Sequence, residues 1–411
     1  MRRIHTVIIG AGQAGLAMSY CLQQRAVPHV LLERGKVANS WATERWDSLR
    51  LLTPNWQSRL PGCTYAGSDP DGFMDMAGIV GFLDGYAAAI SAPVEPQTSV
   101  TSVSSLGDGY RVTTDKGIWA CRNLVLASGA CNRAHVPSCA AALPGHIDQL
   151  SPLDYRNPSQ LRAGSVLVVG ASATGVQLAA EVRAAGHEVT LAAGQHIRMP
   201  RHYCGRDIQW WMEQSGLLAT TTGEIDDLAR ARAVPSLQLV GDPDAQFLDL
   251  NALQRSGVEV VGRLAGIRDG EALFSGGLAN AAMLSDLKMN RTLATFDIWA
   301  DEAEIDSLAP PERFPATEVP ASPTLRLDLM RKQISTVIWA TGFRPDFSWL
   351  HLPVFDRKGR LVHSDGLVAP GLYVLGLPFL RTRKSSLIDG VGADAAALAD
   401  HLVQFTGRQV A

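Results

Sequence analysis

Apolar and polar positions along the chain fall twice into the same order: a short β-branched run, a turn of small residues, an amphipathic helix, and a second apolar run. Ile4 to Ile9 suits a central parallel strand, because such strands are buried on both faces and read as continuous apolar runs. From about Ala14 to Gln24, Leu16, Tyr20 and Leu22 share one helical face, and Val30-Leu31-Leu32 forms the next strand, ending in Glu33. The order returns at Val166–Val169, a helix over Val176–Ala185, Gly186 as its C-terminal stop, and a strand over Glu188–Leu191. Two further strands, Leu124–Leu126 and Thr336–Trp339, end in the similar turns Ala127-Ser128-Gly129 and Ala340-Thr341-Gly342. A late strand spans Gly371–Gly376, and Asp389-Gly390-Val391-Gly392 leads into a final helix over Ala393–Val403. The region from about 205 to 330 has weaker periodicity. Its prolines 310, 311, 315, 320 and 323 predict a loop before the return strand. Strands alternating with helices in this way predict an α/β fold with parallel sheets.

The turns between strand and helix carry the chemistry. Gly10-Ala11-Gly12-Gln13-Ala14-Gly15 follows the first strand. With 38 glycines in 411 residues, such a pattern arises by chance with a probability of about 0.3, so its context carries the reading. Gly10 permits the tight turn, Gly12 lets a pyrophosphate approach the backbone, and Gly15 lets helix and strand pack closely. The helix start then offers free N–H groups and a partial positive charge to the phosphates. Glu33 lies 18 residues past Gly15, placed to accept hydrogen bonds from a ribose diol. In the second turn, Gly170 and Gly175 hold the outer places and Ser172 the middle one, where its hydroxyl can donate to a phosphate. No carboxylate ends the second strand of that unit. Gln195, His196, Arg198 and Arg201 follow instead, and the two arginines are placed to contact a 2′-phosphate or to lie solvated. NADPH is therefore expected there, with NADH also possible. Two such turns, about 160 residues apart, predict two Rossmann-like dinucleotide-binding domains, the second inserted into the first.

Composition narrows the class. The length allows two or three domains, and the 46% apolar fraction is ordinary for a globular chain. A net charge of −3 gives no footprint for nucleic acid or an anionic membrane, and Arg381-Thr382-Arg383-Lys384 is too short for a binding arm. No apolar run reaches a membrane span, and the apolar stretch after Met1-Arg2-Arg3 is broken by glycines, so a cytoplasmic location is expected. Six scattered cysteines contain no C-x-x-C pair, which argues against a dithiol redox centre and a zinc site; no metal is expected. Trp210-Trp211 fits packed core or a channel lining. Asp286, Lys288 and Asn290 fit a solvated helix face, a structural ion pair or a catalytic role.

The chain resembles the two-dinucleotide flavoproteins, and most closely the class B flavin-dependent monooxygenases, the flavin-containing monooxygenases that include the plant auxin-forming type. Trp41 follows the first acidic strand by that family's interval. Trp46-Asp47-Ser48-Leu49-Arg50-Leu51 with Thr53-Pro54 looks like its flavin-facing loop, and Tyr155-Arg156-Asn157-Pro158 matches its crossing into the second domain. The resemblance implies an FAD-binding domain over 1–158 and 336–411, and an NAD(P)H-binding domain over 159–335 with a partly helical insertion at about 205–330. It implies FAD held by Gly10, Gly12, Gln13, Ala14, Gly15, Glu33 and Arg34, by Trp41, Trp46, Leu52 and Thr53, and by Ala127, Ser128, Gly129 and Asp389. It implies NAD(P)H held by Gly170, Ser172, Ala173, Thr174 and Gly175, by Gln195, His196, Arg198 and Arg201, and by Ala340, Thr341 and Gly342. Hydride passes from nicotinamide to flavin in that family, the reduced flavin forms a C4a-hydroperoxide with O2, and a small sulfide, amine or ketone is oxygenated. Two places depart from the pattern. The family's histidine place is Gln149, or Ser151 if aligned on Tyr155, and its flavin-side asparagine place is Leu52. Both changes bear on oxygen chemistry and leave hydride transfer untouched, so an NAD(P)H oxidase or reductase on the same scaffold is the alternative. A flavin-holding sensor is a third reading. The expected partners are a small molecule and O2, with no nucleic acid or membrane; a dimer is compatible with the sequence.

Overall fold

A computed structural model describes residues 1–244, 246–305 and 309–410. The chain begins with β1 (Arg2–Ile9), α1 (Gln13–Gln23) and β2 (His29–Leu32), and continues to the short β3 (Val94–Glu95). A meander of β4 (Val100–Leu106), β5 (Gly109–Thr114) and β6 (Gly117–Leu126) follows. Next come β7 (Asp148–Leu150), β8 (Ser165–Val169), α2 (Ala173–Ala184), β9 (Val189–Ala193), β10 (Glu259–Gly262), α3 (Leu278–Glu302) and β11 (Ile334–Trp339). The chain returns through β12 (Leu372–Val374) and ends in α4 (Ile388–Val410).

Two sheets result. In the first, β12, β6, β1, β2 and β3 lie side by side and parallel, with a short strand at Leu367–Ala369 on the edge. The ten-residue β6 serves two neighbours on one flank: its first half pairs antiparallel with β5, its second half parallel with β12. The second sheet runs β7-β11-β8-β9-β10 and is parallel throughout. Both β8 and β9 are buried along their whole length, as the apolar runs predicted. Alternation sends Val166 and Val168 to one face, against α2, and Leu167 and Val169 to the other. Since β7 and β11 pair within this sheet, it reaches past the expected boundaries at 158 and 336 on both sides.

The two units are joined where Arg133–Ala134 pairs antiparallel with Phe343–Arg344, so the chain leaves and returns side by side. The inserted region has its own aromatic core. Trp211 is buried against Tyr203 and Phe296 and donates from its indole N–H to the Tyr203 carbonyl at 2.8 Å, while Trp210 stacks edge-on between Trp211 and Trp299. The tryptophan pair is therefore packing. The 25-residue helix α3 buries Met289, Leu293, Phe296 and Ala300 in this core, a length the sequence did not announce.

The last helix also differs from expectation: it starts at Ile388, with Asp389-Gly390-Val391-Gly392 inside it. The two glycines are there for contact, not flexibility. A Cβ on Gly390 would lie 1.8 Å from the Lys384 carbonyl oxygen, and one on Gly392 would lie 3.0 Å from the Pro61 ring.

Candidate functional site

The two glycine turns are built alike. Gly10 (φ +107°) and Gly170 (φ +111°) both adopt the left-handed region, and a Cβ on either would strike a carbonyl oxygen at the end of the neighbouring strand, Ala127 at 2.5 Å and Ala340 at 2.2 Å. Those carbonyls belong to the two small-residue turns at 127–129 and 340–342. A Cβ on Gly15 would lie 1.9 Å from the Gly10 oxygen, and one on Gly175 1.8 Å from the Gly170 oxygen. The outer glycines are thus required by the protein itself. The middle places differ. Gly12 is in extended backbone (φ −86°, ψ −170°) and a Cβ there would meet nothing within 4 Å. Ser172 has the same conformation (φ −79°, ψ −175°) and its hydroxyl does not cap its own helix. Neither middle residue answers to an internal contact, which is what a cradle for phosphates requires.

Around the first turn, Trp41 donates to the Gln13 side chain at 3.3 Å. Ala14 packs against Gly376, where a Cβ would come within 2.9 Å of the Ala14 methyl. Glu33 is buried, and its carboxylate accepts from the backbone N–H groups of Ala11 (2.8 Å) and Gly35 (3.0 Å), which anchors it beside the turn with lone pairs to spare. The hydroxyl of Ser128, in the loop facing Gly10, is buried without a partner, while Gly129 (φ +86°) faces open space. Arg34 pairs with Glu44 instead of standing free. Asp389 accepts from Arg59 and from Lys384, each at 2.7 Å. Thr53 is half-buried in the loop after Leu52.

Trp46 departs from its expected place. It is buried in the core of the second unit, with Tyr155, Val166 and Val176. The loop it belongs to is tied there: Tyr155 donates to Glu181 at 3.0 Å, Ser48 donates to the same carboxylate, and Asn157 donates to Asp47 at 2.6 Å. Trp46 therefore reads as an inter-unit anchor, not a flavin contact.

Around the second turn, Ala173 and Thr174 open α2. Gln195 is exposed just past β9. His196 is buried, its Nδ1 bonded to the Gly194 carbonyl at 2.9 Å, and burial holds its pKa below the usual histidine value. Thr341 donates to the His135 carbonyl, and Gly342 (φ +98°) faces open space. Two residues unforeseen from sequence close over this turn: Gln238 donates to the Ala171 carbonyl and Gln177 to the Leu239 carbonyl, both at 2.7 Å. Gln238 lies in weakly periodic sequence, and Gln177, although on an expected helix, is a lone glutamine whose partner is 62 residues away, so neither carries a local signal.

The expected 2′-phosphate contacts at Arg198 and Arg201 do not hold. Arg198 is 2% exposed and forms ion pairs with Asp249 (2.7 Å) and Asp286 (2.9 Å) beneath the ring of Phe247. Arg201 is 1% exposed, pairs with Asp207 at 2.6 Å, lies over Phe73 and donates to the Leu52 carbonyl at 2.7 Å. Both are neither solvated nor presented to a ligand. They are buried cations paired with carboxylates, and Asp286 takes the structural ion-pair role among the options for its cluster. Through Arg201, Leu52 is fixed against the inserted region.

Gln149 accepts from the Trp339 indole at 3.0 Å, and Ser151 donates to Asp154 at 2.6 Å, so the two residues at the family's histidine place are internally bonded. All six cysteines are free thiols, and burial pushes Cys21 up to about 11 and Cys121 up to about 12, away from nucleophilic use. Among the described residues no cluster of metal-ligating side chains occurs, and no helix is long and apolar enough to cross a membrane.

Comparison with known proteins agrees with this architecture. The family described as pyridine nucleotide-disulphide oxidoreductase matches residues 7–215. A CzcO-like oxidoreductase of Geobacillus kaustophilus is 30% identical over 408 residues, covering 97% of this chain and 98% of its own. The probable indole-3-pyruvate monooxygenase YUCCA10 of Arabidopsis thaliana is 27% identical over 213 residues, 49% of this chain and 54% of its own. A flavin-containing monooxygenase from Stenotrophomonas maltophilia superposes with a TM-score of 0.70 at 21% identity, over 99% of this chain and 100% of that one, a likeness of fold.

Proposed function

The chain belongs to the pyridine nucleotide-disulphide oxidoreductase family, and from that premise we propose that it is a monooxygenase that holds FAD on its first sheet and NAD(P)H on its second. One observation carries this reading: two glycine turns of the same geometry, each closed at its outer places by the protein's own backbone and each free at its middle place. FAD supplies hydride acceptance and oxygen activation when bound, which explains a chain without a convincing nucleophile or acid–base pair. The residues of the chain bind and orient. The N–H groups opening α1, with Gly12 leaving room, meet a pyrophosphate, and Glu33 accepts from the ribose. The start of α2 and the Ser172 hydroxyl meet the phosphates of the nicotinamide nucleotide. With Arg198 and Arg201 locked in ion pairs, NADH and NADPH are both accommodated. The family's disulphide chemistry is not the reading here, because the chain has no C-x-x-C pair. A small organic substrate and O2 complete the reaction.

The position of Leu52 favours one second reading, an NAD(P)H oxidase. A leucine side chain offers no hydrogen bond at the place where related monooxygenases carry an amide, and its carbonyl is already taken by Arg201. One experiment tests both. The yellow protein is reduced with NADPH without air, then given labelled O2. Bleaching followed by oxygen-18 in an organic product supports the monooxygenase, and stoichiometric hydrogen peroxide supports the oxidase. A colourless protein, or one that does not bleach, refutes both.

A further inference from the structure

The long helix α3 is apolar on two opposite sides. Met289, Leu293, Phe296 and Ala300 face the aromatic core of the inserted region. On the far side Met283, Leu284, Leu287 and Ile298 are 42% to 60% exposed, four of the twelve large apolar side chains left exposed among the described residues. At about 100° per residue, these four and the exposed Arg291 and Ala294 fall within one arc of about 100°, directly opposite the buried face. Leu284, Leu287, Arg291, Ala294 and Ile298 follow one another at alternating steps of three and four, the spacing of a seam that a second helix fills. A helix that serves only its own core carries polar residues on that side.

The charges on α3 decide what fits the stripe. Lys288 and Arg291 stand near its middle and Asp301 and Glu302 at its end, all exposed and none in an ion pair among the described residues. A lipid surface is a poor occupant, because acidic residues close the stripe and the chain carries a net charge of −3. A second α3 running antiparallel, with a two-fold axis between Arg291 and Ala294, answers both patterns. Leu287 then faces Ile298 of the second copy, and the small Ala294 leaves room for Arg291. Lys288 and Glu302 share one flank of the stripe and lean toward each other across the axis, because helical side chains tilt toward the N-terminus. Every contact occurs twice, as an isologous interface requires. The size also suits: α3 is about 38 Å long, and a round patch of about 800 Å², one partner's share of a standard interface, is about 32 Å across.

We propose that the outer face of α3 is the two-fold interface of a homodimer, its occupant the same face of a second copy of this chain. The association does not depend on the redox reading above, because no residue of either glycine turn lies on α3.

The test is sedimentation velocity of the flavin-loaded protein over about two decades of concentration. A dimer is expected, with its dissociation constant raised at least tenfold by Leu287→Glu and by Ile298→Glu. Both positions are exposed, so the variants keep the fold, checked by the unfolding midpoint. Met330→Glu, at an exposed apolar residue away from α3, leaves association unchanged. Lys288→Glu and Glu302→Lys each weaken the dimer, and the double variant restores it. Ala294→Cys, beside the axis, gives a disulfide-linked dimer on mild oxidation that the parent protein does not give. A monomer at every concentration overturns the proposal and hands the face to a different protein. A dimer indifferent to Leu287→Glu and Ile298→Glu overturns it by moving the interface elsewhere. Assemblies that grow beyond the dimer, or a double variant that fails to recover, overturn the antiparallel two-fold. Flavin content is read in every variant: a colourless dimer sinks the cofactor reading and leaves this one standing.

Discussion

Substituting Gly12 by valine separates the demands of the fold from those of the ligand. The backbone there is extended, a conformation any residue adopts, and the added side chain starts in open space, with nothing within 4 Å of its Cβ. The protein alone loses only the preference for glycine over valine at a helix N-cap, about 1 kcal/mol. The midpoint of thermal unfolding of the flavin-free protein then falls by only about 2–4 °C. For a pyrophosphate, that space is the approach to the N–H groups opening α1. Losing two charge-assisted hydrogen bonds of about 1.5–3 kcal/mol each weakens FAD by roughly two to four orders of magnitude. The assay is the flavin-to-protein absorbance ratio after desalting, alongside the unfolding midpoint. A colourless but folded protein is expected. Full flavin stoichiometry refutes the assignment of the turn, and collapse of the fold refutes the claim that its middle place is reserved for a ligand. Gly15→Ala is the contrasting variant: its Cβ would sit 1.9 Å from the Gly10 oxygen, so this one fails to fold.

Two further outcomes are expected. Arg198→Ala leaves Asp249 and Asp286 buried without their partner and destabilises the protein by about 3–5 kcal/mol in denaturant unfolding, while the ratio of KM for NADH to KM for NADPH stays unchanged; a selective rise for NADPH would restore the phosphate role. Asp394 is buried, and burial pushes its carboxyl from 3.8 up to about 6. A carboxyl whose pKa is raised in the fold is bound more tightly to its proton there than in the unfolded chain. Its destabilising effect therefore grows as pH rises from about 4 to 6 and is constant above. Asp394→Asn accordingly gains stability, at most about 3 kcal/mol, at pH 8 and much less at pH 4; a gain equal at both pH values would refute the cause.

What the sequence made legible was local. A β-branched run followed by glycines three to five places apart names its own strand, turn and helix start, and both nucleotide turns were found this way. Glu33 follows from its spacing past Gly15, and Trp41 from the interval of the family the chain resembles. The misreadings all depended on distant partners. Arg198 looks like a ligand contact until Asp249 and Asp286, 51 and 88 residues further on, are seen around it. Trp46 sits in a loop that resembles a flavin loop, but its environment is set by Tyr155 and Val166 of the other unit. Gly390 and Gly392 read as a loop signal because nothing local tells that Lys384 and Pro61 press against a helix there.

The pairing of Arg133–Ala134 with Phe343–Arg344 has a consequence for descent as well as for shape. Because exit and re-entry lie one ladder spacing apart, about 5 Å, the inserted unit is a cassette with adjoining ends. Evolution or an engineer can exchange such a cassette for another of different pyridine-nucleotide preference without rethreading its host.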